Sequence, residues 1–564
     1  MRDEAEAGQP GSEVLAAMLA GYGVSHVFFV DAILRRTLIA MEGHGIRRIL
    51  AHSEKAAAYM ADGYARASGR VGVVMAQSVG AANLAAGLQD AFLHRAPIVA
   101  LTGRKAPAAQ ARNAYQEIEH RPMFRPVTVF DADVDAPDEF PRLLRQAFRA
   151  ATGPTPRPAH LDLLGLQGEG IETATITADR SVEPRHAAVP AHRPPPAASD
   201  IAAAAAVLGA ARRIAIVAGA GALLSGAGEA LAALARRLSA PVATSLGARG
   251  IIDTRDALSV GTVGTYGAPP ANRIVHAADA VLYVGTHAGD QPTMDWRVPR
   301  PGIPIVQIDA DATEIGRAYP NTTAVPGDPR LAIEALLAAL PATPRAPDFA
   351  QWAAGIVHDW RAAMAPLMAS DASPIRVERL CAEITRALPE DGILVADTGY
   401  SGIWTATCVD LSPRQTYLRA AGSLGWSFPA AIGAALAQPG RKVVCFSGDG
   451  AIYYHLTELE TARRHNVPLV LVINNNSAFG QGLVNVRRMQ GNRPGNPDEI
   501  IRFGPTDFAA IARAFGVHGF RVERAGDIAA ALAQAVAING PVVVDVVTDA
   551  EPRAPEPWVP GVEE

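Results

Sequence analysis

The chain has 564 residues, of which 49% are hydrophobic, and its 51 basic and 56 acidic side chains give a net charge of −5. This length predicts three or four domains with large cores. The near balance of charge, without a long basic run, excludes a polyanion-binding protein, and three cysteines without a CxxC pair exclude a disulfide framework or a zinc knuckle.

The N-terminal residues MRDEAEAGQPGSE lack the charged-then-apolar pattern of a signal peptide. No apolar run reaches the length of a membrane-spanning helix. Together with the low cysteine content, these features predict a cytoplasmic protein without a membrane partner.

Two proline-rich stretches, 183–199 and 341–348, are predicted to be extended linkers. They leave three segments of domain size, which span residues 10–180, 200–340 and 375–550. Each segment alternates short apolar runs with alanine-rich helical ones, such as VGVVMAQ followed by AANLAAGLQDAF. The predicted fold class is therefore α/β, with three doubly wound domains built on parallel sheets.

In the first segment, the stretch HSEKAAAYMADGYAR (52–66) places Glu54 at the start of a predicted helix whose next positions are mostly apolar. A carboxyl group in an apolar setting is suited to donate a proton. A glutamate in the first turn of a helix can also serve only to stabilise the helix dipole. The sequence leaves both interpretations open.

In the middle segment, IVAGAGALLSGAGEAL (216–231) weakly matches a glycine-rich nucleotide loop. Short glycine and alanine turns between a strand and a helix are also common for packing reasons alone. The pattern therefore indicates a strand, a turn and a helix, and leaves a nucleotide site open.

In the third segment, a predicted strand (442–446), a Gly-Asp-Gly turn (448–450) and a predicted helix (456–464) precede a second strand (469–473) that ends at three asparagines. If both strands lie in one parallel sheet, Asp449 and Asn476 emerge side by side at its carboxyl edge. A carboxylate with an amide suits Mg²⁺, and the following helix offers N–H groups to a phosphate. Two polar residues that cap a turn are the alternative.

Three stretches together resemble the thiamine-diphosphate-dependent enzymes of the acetolactate synthase-like superfamily. They are residues 52–103, GSLGWSFPAAIGAALA at 422–437, and residues 447–476. In that family the metal-binding asparagine follows the aspartate by 27 positions, which is the spacing of Asp449 and Asn476 here. The resemblance covers all three segments in order.

The resemblance implies a pyrimidine-binding domain, a central Rossmann-like domain and a diphosphate-binding domain. In this family the cofactor lies between the first domain of one chain and the third domain of another. A homodimer or homotetramer with active sites at its interfaces is therefore expected.

The resemblance also implies thiamine diphosphate and Mg²⁺ as cofactors, with a role for each motif residue. Glu54 would hydrogen-bond a ring nitrogen of the aminopyrimidine and promote proton removal from the reactive carbon, and Gln116 would contact the substrate. Leu424 would be the bulky apolar residue that bends the cofactor, a role compatible with core packing. The metal ligands would be Asp449, Asn476 and the backbone carbonyl of Ala478. The remaining cofactor contacts would be Tyr400, Ser401, Gly422, Gly448, Gly450 and Ala451.

The sequence departs from acetolactate synthase where that enzyme holds its second 2-keto acid. The family segment GARFDDR is here GTHAGDQ (285–291), so that His287 and Gln291 replace arginines and the bidentate carboxylate fork is lost. The same change argues against a bound FAD. The pocket tryptophan expected after the metal loop is replaced by Asn485.

The glycine-rich loop that the family has near the start, GYPGG, is here FVDAI (29–33). Asp31 in this loop is either a charge that faces the substrate or a cap of the loop. These departures predict a lyase, decarboxylase or carboligase that acts on a 2-keto acid or a related small carbonyl compound.

Other functions remain open at the level of sequence. One is an acyl-CoA enzyme similar to oxalyl-CoA decarboxylase or 2-hydroxyacyl-CoA lyase, which needs a nucleotide cleft in the central domain. A true acetolactate synthase and a flavin oxidase are two more. A degenerate protein kept for assembly is a fourth, against which the presence of Glu54, Asp449 and Asn476 together argues.

Overall fold

The computed structural model describes residues 8–342 and 346–562. Three six-stranded parallel sheets with flanking helices build this part of the chain. Their strands are rich in valine, isoleucine and alanine and are buried along their length, as in the strand Ile214–Ala218. Strands apolar on both faces need helices on both sides of the sheet. The predicted α/β fold class with three parallel-sheet domains is therefore confirmed.

The first sheet is formed by residues of the N-terminal segment. The strands are β1 (Gln9–Pro10), β2 (His26–Phe29), β3 (Arg47–Leu50), β4 (Gly72–Ala76), β5 (Ile98–Arg104), β6 (Phe130–Val134), β7 (Ala159–Leu164) and β8 (Thr175–Ile176). The helices are α1 (Gly11–Gly21), α2 (Arg35–Ala40), α3 (Glu54–Ser68), α4 (Gly80–His94), α5 (Arg121–Phe124), α6 (Phe140–Ala151) and α7 (Glu169–Glu172). The sheet order is β3-β2-β4-β5-β7-β6, and β1 pairs with β8 in a separate antiparallel ribbon.

The second sheet is formed by the middle segment. Its strands are β9 (Ile214–Ala218), β10 (Val242–Thr244), β11 (Ser259–Thr262), β12 (Ala280–Val284), β13 (Ile305–Asp309) and β14 (Thr322–Pro326). The helices are α8 (Ala198–Ala210), α9 (Ala220–Leu224), α10 (Gly228–Leu238), α11 (Pro269–Ala277), α12 (Asp290–Thr293) and α13 (Pro329–Ala339). The sheet order is β11-β10-β9-β12-β13-β14.

The third sheet is formed by the C-terminal segment. Its strands are β15 (Ile393–Ala396), β16 (Thr416–Arg419), β17 (Val443–Gly448), β18 (Leu469–Asn475), β19 (His518–Val522) and β20 (Val542–Val547). The helices are α14 (Asp348–Met368), α15 (Val377–Ala387), α16 (Tyr400–Cys408), α17 (Ser427–Ala437), α18 (Asp449–Ile452), α19 (Glu458–Arg464), α20 (Gly480–Gln490), α21 (Phe508–Ala514) and α22 (Ile528–Ala537). The sheet order is β16-β15-β17-β18-β20-β19.

Short 3₁₀ turns lie at Met41–His44, Pro107–Ala109, Arg125–Val127, Pro137–Glu139, Pro184–Ala187, Leu246–Ala248, Pro497–Ile500 and Ala525–Asp527. The first predicted linker, 183–199, is therefore extended only in part, because it holds one of these turns and the start of α8. In the second, residues 343–345 lie outside the described residues. No helix of the described part is both long enough and apolar enough to cross a bilayer.

The boundaries inside the third segment differ slightly from those predicted. The strand predicted at 442–446 runs from Val443 to Gly448, and the predicted turn is instead the end of this strand and the start of α18. The second strand extends to Asn475. The physical reason is that the parallel ladder continues past the apolar run, since Gly448 pairs with Asn474.

The chain divides into two compact units. One contains the residues up to His192 together with Ala420–Gly440 and His455–Val467, so that α17 and α19 belong to it. The other contains the remaining residues, including the second and third sheets.

Within the first unit, α3 and α17 are in backbone contact. A Cβ placed on Gly63 would lie 2.0 Å from the Ala430 oxygen, and one on Gly433 would lie 1.9 Å from the Met60 oxygen. Only glycine permits so close an approach of two helices. This crossing brings the segment before α17 next to the helices of the first sheet.

Candidate functional site

The carboxyl edge of the third sheet brings Asp449 and Asn476 together. Strands β17 and β18 are neighbours in the sheet, and each residue follows the end of its strand. The Asn476 amide nitrogen donates a hydrogen bond of 3.1 Å to Oδ2 of Asp449. The sequence separation of 27 residues is thus closed by the parallel pairing of the two strands.

Asp449 is a buried carboxylate that accepts hydrogen bonds from backbone N–H groups. It is 2% exposed, and its Oδ1 accepts a bond of 2.7 Å from the Gly450 amide. Burial raises the pKa of Asp449 to about 6, although backbone N–H groups of Gly450 and of residues 476–478 act in the opposite direction. Within residues 8–342 and 346–562, no basic side chain lies within 4.0 Å of this carboxylate. A buried carboxylate without a basic partner fits a bound cation, which would offset the cost of its burial.

The groups near Asp449 that could bind a metal ion offer oxygen atoms as ligands. Asn476 Oδ1 accepts a bond of 3.2 Å from the Ala478 amide, which turns the loop after β18 back on itself. The bridge between this loop and Arg502 uses the Ser477 carbonyl and the Phe479 amide. The Ala478 carbonyl does not take part in that pairing. A carboxylate, an amide and a carbonyl form the hard donor set that Mg²⁺ prefers.

The predicted diphosphate contacts lie at the same edge of the third sheet. A Cβ on Gly448 would lie 3.6 Å from Oγ of Ser401, and one on Gly480 would lie 3.6 Å from the Tyr400 ring. Helix α16 begins at Tyr400, after Gly399 with a φ of 64°. The edge therefore presents two helix starts, those of α16 and α18, which suits an anion.

Gly450 and Ala451 form the first turn of α18. A Cβ on Gly450 would lie 2.5 Å from the Phe479 ring, so packing of this ring requires glycine there. Ala451 is buried at 3% exposure. The two residues thus hold α18 close against the loop that carries Asn476 and Ala478.

Glu54 opens α3 in the first unit and is half-buried. Ser53 caps the helix by accepting a bond of 3.1 Å from the Ala56 amide, which leaves the Glu54 carboxylate free of the capping role. Asn83 Nδ2 donates a bond of 2.8 Å to Glu54 Oε2. A Cβ on Gly80 would lie 2.4 Å from Glu54 Oε1, so glycine is required to admit the carboxylate. The structure therefore fixes the Glu54 carboxylate through a side-chain contact in addition to its place in the first turn of α3.

Gln116 lies in the loop between β5 and α5 with a φ of 58°, an unusual backbone for a residue other than glycine. The buried Ser78 hydroxyl donates to its carbonyl. Its Nε2 donates to the hydroxyl of the exposed Tyr115 at 3.1 Å, and its buried Oε1 has no hydrogen-bond partner among the residues that the structure describes. A buried acceptor without a partner is costly and is suited to a ligand donor.

Gly422 and Leu424 lie in the segment between β16 and α17. Gly422 is exposed, and a Cβ placed there would meet no atom within 4 Å. The protein itself therefore does not require glycine at this position, which fits the close approach of a ligand. Leu424 is half-buried, three residues before α17.

The predicted site residues thus form two groups. The first unit holds Glu54, Gln116, Gly422 and Leu424. The second unit holds Tyr400, Ser401, Gly448, Asp449, Gly450, Ala451, Asn476 and Ala478. Three residues that no motif indicated contact the first group, namely Ser78, Asn83 and Asp90. All three lie in α4 or just before it, and α4 is the helix that follows the one beginning at Glu54. This proximity along the chain is the only feature of the sequence that could have indicated them.

The residues predicted to replace the acceptor-binding arginines, His287 and Gln291, lie in the second unit. His287 is exposed, and Gln291 accepts from the buried Arg419 at 3.4 Å. The nearby Arg487 bonds Glu551 at 2.7 Å, and Arg488 bonds Asn485 at 2.6 Å. These arginines of α20 are therefore already engaged with side chains of the protein.

Asp31 forms two hydrogen bonds to the Arg35 guanidinium, of 3.0 and 2.7 Å. The Arg35 bond lowers the pKa of Asp31. A carboxylate neutralised within its own loop favours the interpretation of Asp31 as a loop cap over that of a substrate-facing charge.

The glycines after β9 are explained by packing. A Cβ on Gly219 or Gly221 would lie 2.2 or 2.9 Å from the Gly285 oxygen. Close approach of these two turns is sufficient reason for glycine, and a nucleotide is not needed to account for it.

Three regions of the chain match models of the thiamine pyrophosphate enzymes, which use the cofactor also called thiamine diphosphate. Residues 9–123 match the N-terminal TPP binding domain, residues 201–336 the central domain, and residues 397–546 the C-terminal TPP binding domain. The first and third of these ranges contain Glu54 and Asp449, respectively.

Similarity to known proteins extends along nearly the whole chain. A probable acetolactate synthase large subunit of Methanocaldococcus jannaschii is 30% identical over 571 residues, which cover 98% of this chain and 93% of the relative. Acetolactate synthase isozyme 1 large subunit of Escherichia coli is 29% identical over 519 residues, which cover 91% and 89%. A probable 2-ketoarginine decarboxylase of Pseudomonas aeruginosa is 32% identical over 520 residues, which cover 89% and 88%.

These relatives differ in the reaction that their names give, since two are synthases and one is a decarboxylase. What they share with this chain is sequence similarity over nearly the full length. The chain belongs to the thiamine-diphosphate-dependent enzymes of the acetolactate synthase-like superfamily.

Proposed function

We propose that this enzyme uses thiamine diphosphate and Mg²⁺ to break or form a carbon–carbon bond next to the carbonyl of a 2-keto acid or a related small molecule. The observation that carries the proposal is the buried Asp449 carboxylate, which lies beside Asn476 without a basic partner among the described residues. Bound thiamine diphosphate supplies a carbon nucleophile and an electron sink for such chemistry.

The residues of the third sheet would bind the diphosphate end of the cofactor. Asp449, Asn476 and the Ala478 carbonyl would hold Mg²⁺, and the first turns of α16 and α18 would offer N–H groups to the phosphates. Gly448 and Ser401 would line the approach to these turns.

The residues of the first unit would act at the reacting end. Glu54, held by Asn83, would hydrogen-bond a ring nitrogen of the cofactor and so promote proton removal from its reactive carbon. Gln116 has a buried, unpartnered Oε1 and would accept a hydrogen bond from the substrate. Leu424 would support the cofactor by van der Waals contact.

Decarboxylation or related cleavage is favoured over acetolactate synthesis. Synthesis requires a cation for the carboxylate of a second 2-keto acid, and His287 and Gln291 occupy the positions where the family carries arginines. Gln291 already accepts from Arg419, and Arg487 is paired with Glu551. We therefore infer that no bidentate acceptor fork is present and that FAD is not bound.

We also infer that the enzyme works as a cytoplasmic homodimer or homotetramer, as the family resemblance implies.

A substrate screen tests this function. Purified protein with thiamine diphosphate and Mg²⁺ is assayed with 2-keto acids, 2-hydroxyacyl-CoAs and cyclic diketones, with release of CO₂ and formation of aldehydes as readouts. We expect turnover of at least one 2-keto acid, and its loss in Asp449→Ala and Glu54→Gln. Turnover that is equal in the Asp449→Ala variant would contradict the proposed site, and turnover of acyl-CoA substrates alone would replace the proposed substrate class.

A further inference from the structure

Asp90 places a carboxylate in contact with the backbone of the segment that precedes α17. Its side chain is 0% exposed, and its Oδ1 accepts from the Ala421 amide at 2.9 Å. Its Oδ2 accepts from the amides of Ala421, Gly422 and Ser423 at 3.0, 3.2 and 3.0 Å. Three successive N–H groups that converge on one anion form the backbone arrangement known as a nest.

The segment that Asp90 binds has no helix or strand of its own. It runs from Arg419, the last residue of β16, to Ser427, the first of α17, and Gly425 has a φ of 89°. Backbone N–H groups in such a segment need an acceptor when they are buried. Asp90 accepts from the amides of Ser423, which is buried, of Ala421, which is half-buried, and of the exposed Gly422, so its carboxylate holds the backbone on the N-terminal side of Leu424.

A second buried group holds the segment on the other side of Leu424. Trp426 is 0% exposed, and its Nε1 donates a bond of 2.7 Å to Asp62. The Arg66 guanidinium lies over the Trp426 ring at 4.5 Å, 3.5 Å from Asp62 and 4.0 Å from Asp90. One arginine thus balances the two carboxylates that hold the segment, and Leu424 lies between the held positions.

We propose that Asp90 is a positioning residue for the cofactor site: it sets the backbone of residues 421–423 and thereby the position of Leu424. This inference rests on the proposed function, because it assumes that Leu424 contacts the cofactor. Asp90 does not touch substrate or cofactor itself. Its removal is expected to loosen the segment before any ligand is added.

Hydrogen exchange in the cofactor-free protein measures directly how strongly Asp90 protects the backbone amides of residues 421–423. In the unmodified protein, we expect a peptide that covers residues 421–423 to exchange slowly although it lies outside helices and strands. In Asp90→Asn, which keeps the size but loses the charge, exchange of this peptide should be about tenfold faster or more. Rapid exchange in the unmodified protein would overturn the proposal without any variant.

Measurement of cofactor affinity distinguishes a residue that positions the cofactor site from one that only stabilises the fold. In titration calorimetry with thiamine diphosphate and Mg²⁺, we expect Asp90→Asn to bind about 10- to 100-fold more weakly. If Asp90 acts through Leu424, the losses in Asp90→Asn and Leu424→Ala should not add in the double variant. Full additivity, or unchanged affinity in Asp90→Asn, would refute the positioning role.

Glu172→Gln is the matched control. Glu172 is also a buried carboxylate of the first unit that accepts a backbone amide, that of Thr37 at 2.7 Å. Its replacement should leave both the exchange at 421–423 and the cofactor affinity unchanged. An unmodified protein that binds no thiamine diphosphate would overturn the proposed function, a result distinct from the failure of Asp90→Asn alone.

Discussion

At the scale of single residues, the chemistry of the site depends on carboxylates whose surroundings differ. Asp449 is nearly fully buried and contacts backbone N–H groups, whereas Glu54 is half-buried and held by one amide side chain. The first environment suits a metal ligand, and the second suits a group that exchanges a proton. Replacement of Asp449 and replacement of Glu54 should therefore have different effects on the enzyme.

Replacement of Asp449 by alanine should prevent formation of the holoenzyme. The change removes the only carboxylate of the donor set, so the affinity for thiamine diphosphate in the presence of Mg²⁺ should fall by at least about 100-fold. Titration calorimetry measures this affinity, and a thermal unfolding scan of the cofactor-free variant controls for folding. Affinity equal to that of the unmodified protein would disprove the metal-site assignment.

Replacement of Glu54 by glutamine should leave cofactor binding intact and slow its activation. Glutamine keeps the shape and the contact with Asn83 but has no ionisable proton, so exchange of the proton on the reactive carbon should slow by about 100- to 10,000-fold. Acid quenching followed by NMR measures this exchange with deuterium. Exchange at the original rate would exclude Glu54 as the activating residue.

At the scale of elements, the crossing of α3 and α17 organises the first unit. Gly63 and Gly433 bring the two backbones into contact, and the Asp62–Trp426 hydrogen bond lies beside them. Glu54 is the first residue of α3, and Leu424 lies three residues before α17, so both residues are attached to the crossing helices. A change in the crossing should therefore affect stability and the site together.

Replacement of Gly433 by alanine should destabilise this crossing. The added Cβ would lie 1.9 Å from a backbone oxygen, which cannot move independently of α3. We expect a loss of about 1–3 kcal/mol in the free energy of unfolding, measured by urea denaturation.

The control for this variant is Gly355→Ala in α14. A Cβ at that position meets nothing within 4 Å, so alanine should leave stability unchanged or raise it by up to about 1 kcal/mol through helix propensity. An equal effect of the two substitutions would show that the close approach of α3 and α17 is not the cause.

At the scale of the whole molecule, the balance between decarboxylation and ligation depends on what holds a second substrate. We expect little acetolactate from pyruvate, because a histidine at position 287 and a glutamine at position 291 lack the planar fork of donors with which arginine binds a carboxylate. We also expect the purified protein to show no flavin absorbance. A colorimetric acetoin assay after acid treatment and an absorbance scan measure the two outcomes, and robust acetolactate formation would restore the synthase function.

The pH dependence of stability should reflect His455, which is 5% exposed and packs edge-on against Tyr59. Burial, with a smaller effect of the Lys55 charge, lowers the pKa of His455 to about 4 from 6.5. Protonation therefore favours the unfolded state, so the stabilising effect of the neutral ring is complete above pH 6.5 and is lost as the pH falls towards 4.

Between pH 7 and pH 5 this single group should cost about 2 kcal/mol of folding free energy. Replacement by glutamine, which does not titrate, should reduce the pH dependence of the unfolding free energy by that amount. Urea denaturation at the two pH values measures this free energy. Identical pH dependence in the two proteins would show that folding does not lower the pKa of His455.

The fold and the proximity of Asp449 to Asn476 could be predicted from the sequence because both follow from local pattern. Apolar runs that alternate with alanine-rich helices require covered parallel sheets, and parallel strands place Asp449 and Asn476 at one edge whatever the rest of the chain does. The residue roles and the domain boundaries stay predictions, since they depend on ligands and partners rather than on pattern.

Other features depend on contacts between residues far apart in the chain, and these only the tertiary structure decided. Asp90 meets the amides of 421–423 across more than 300 positions, and Asn83 meets Glu54 across two helices. Helix α14 lies between the second proline-rich stretch and the third predicted segment, where the sequence analysis assigns no element. A long-range hydrogen bond carries no periodic signal in the sequence, so folding must bring its partners together before their function can be inferred.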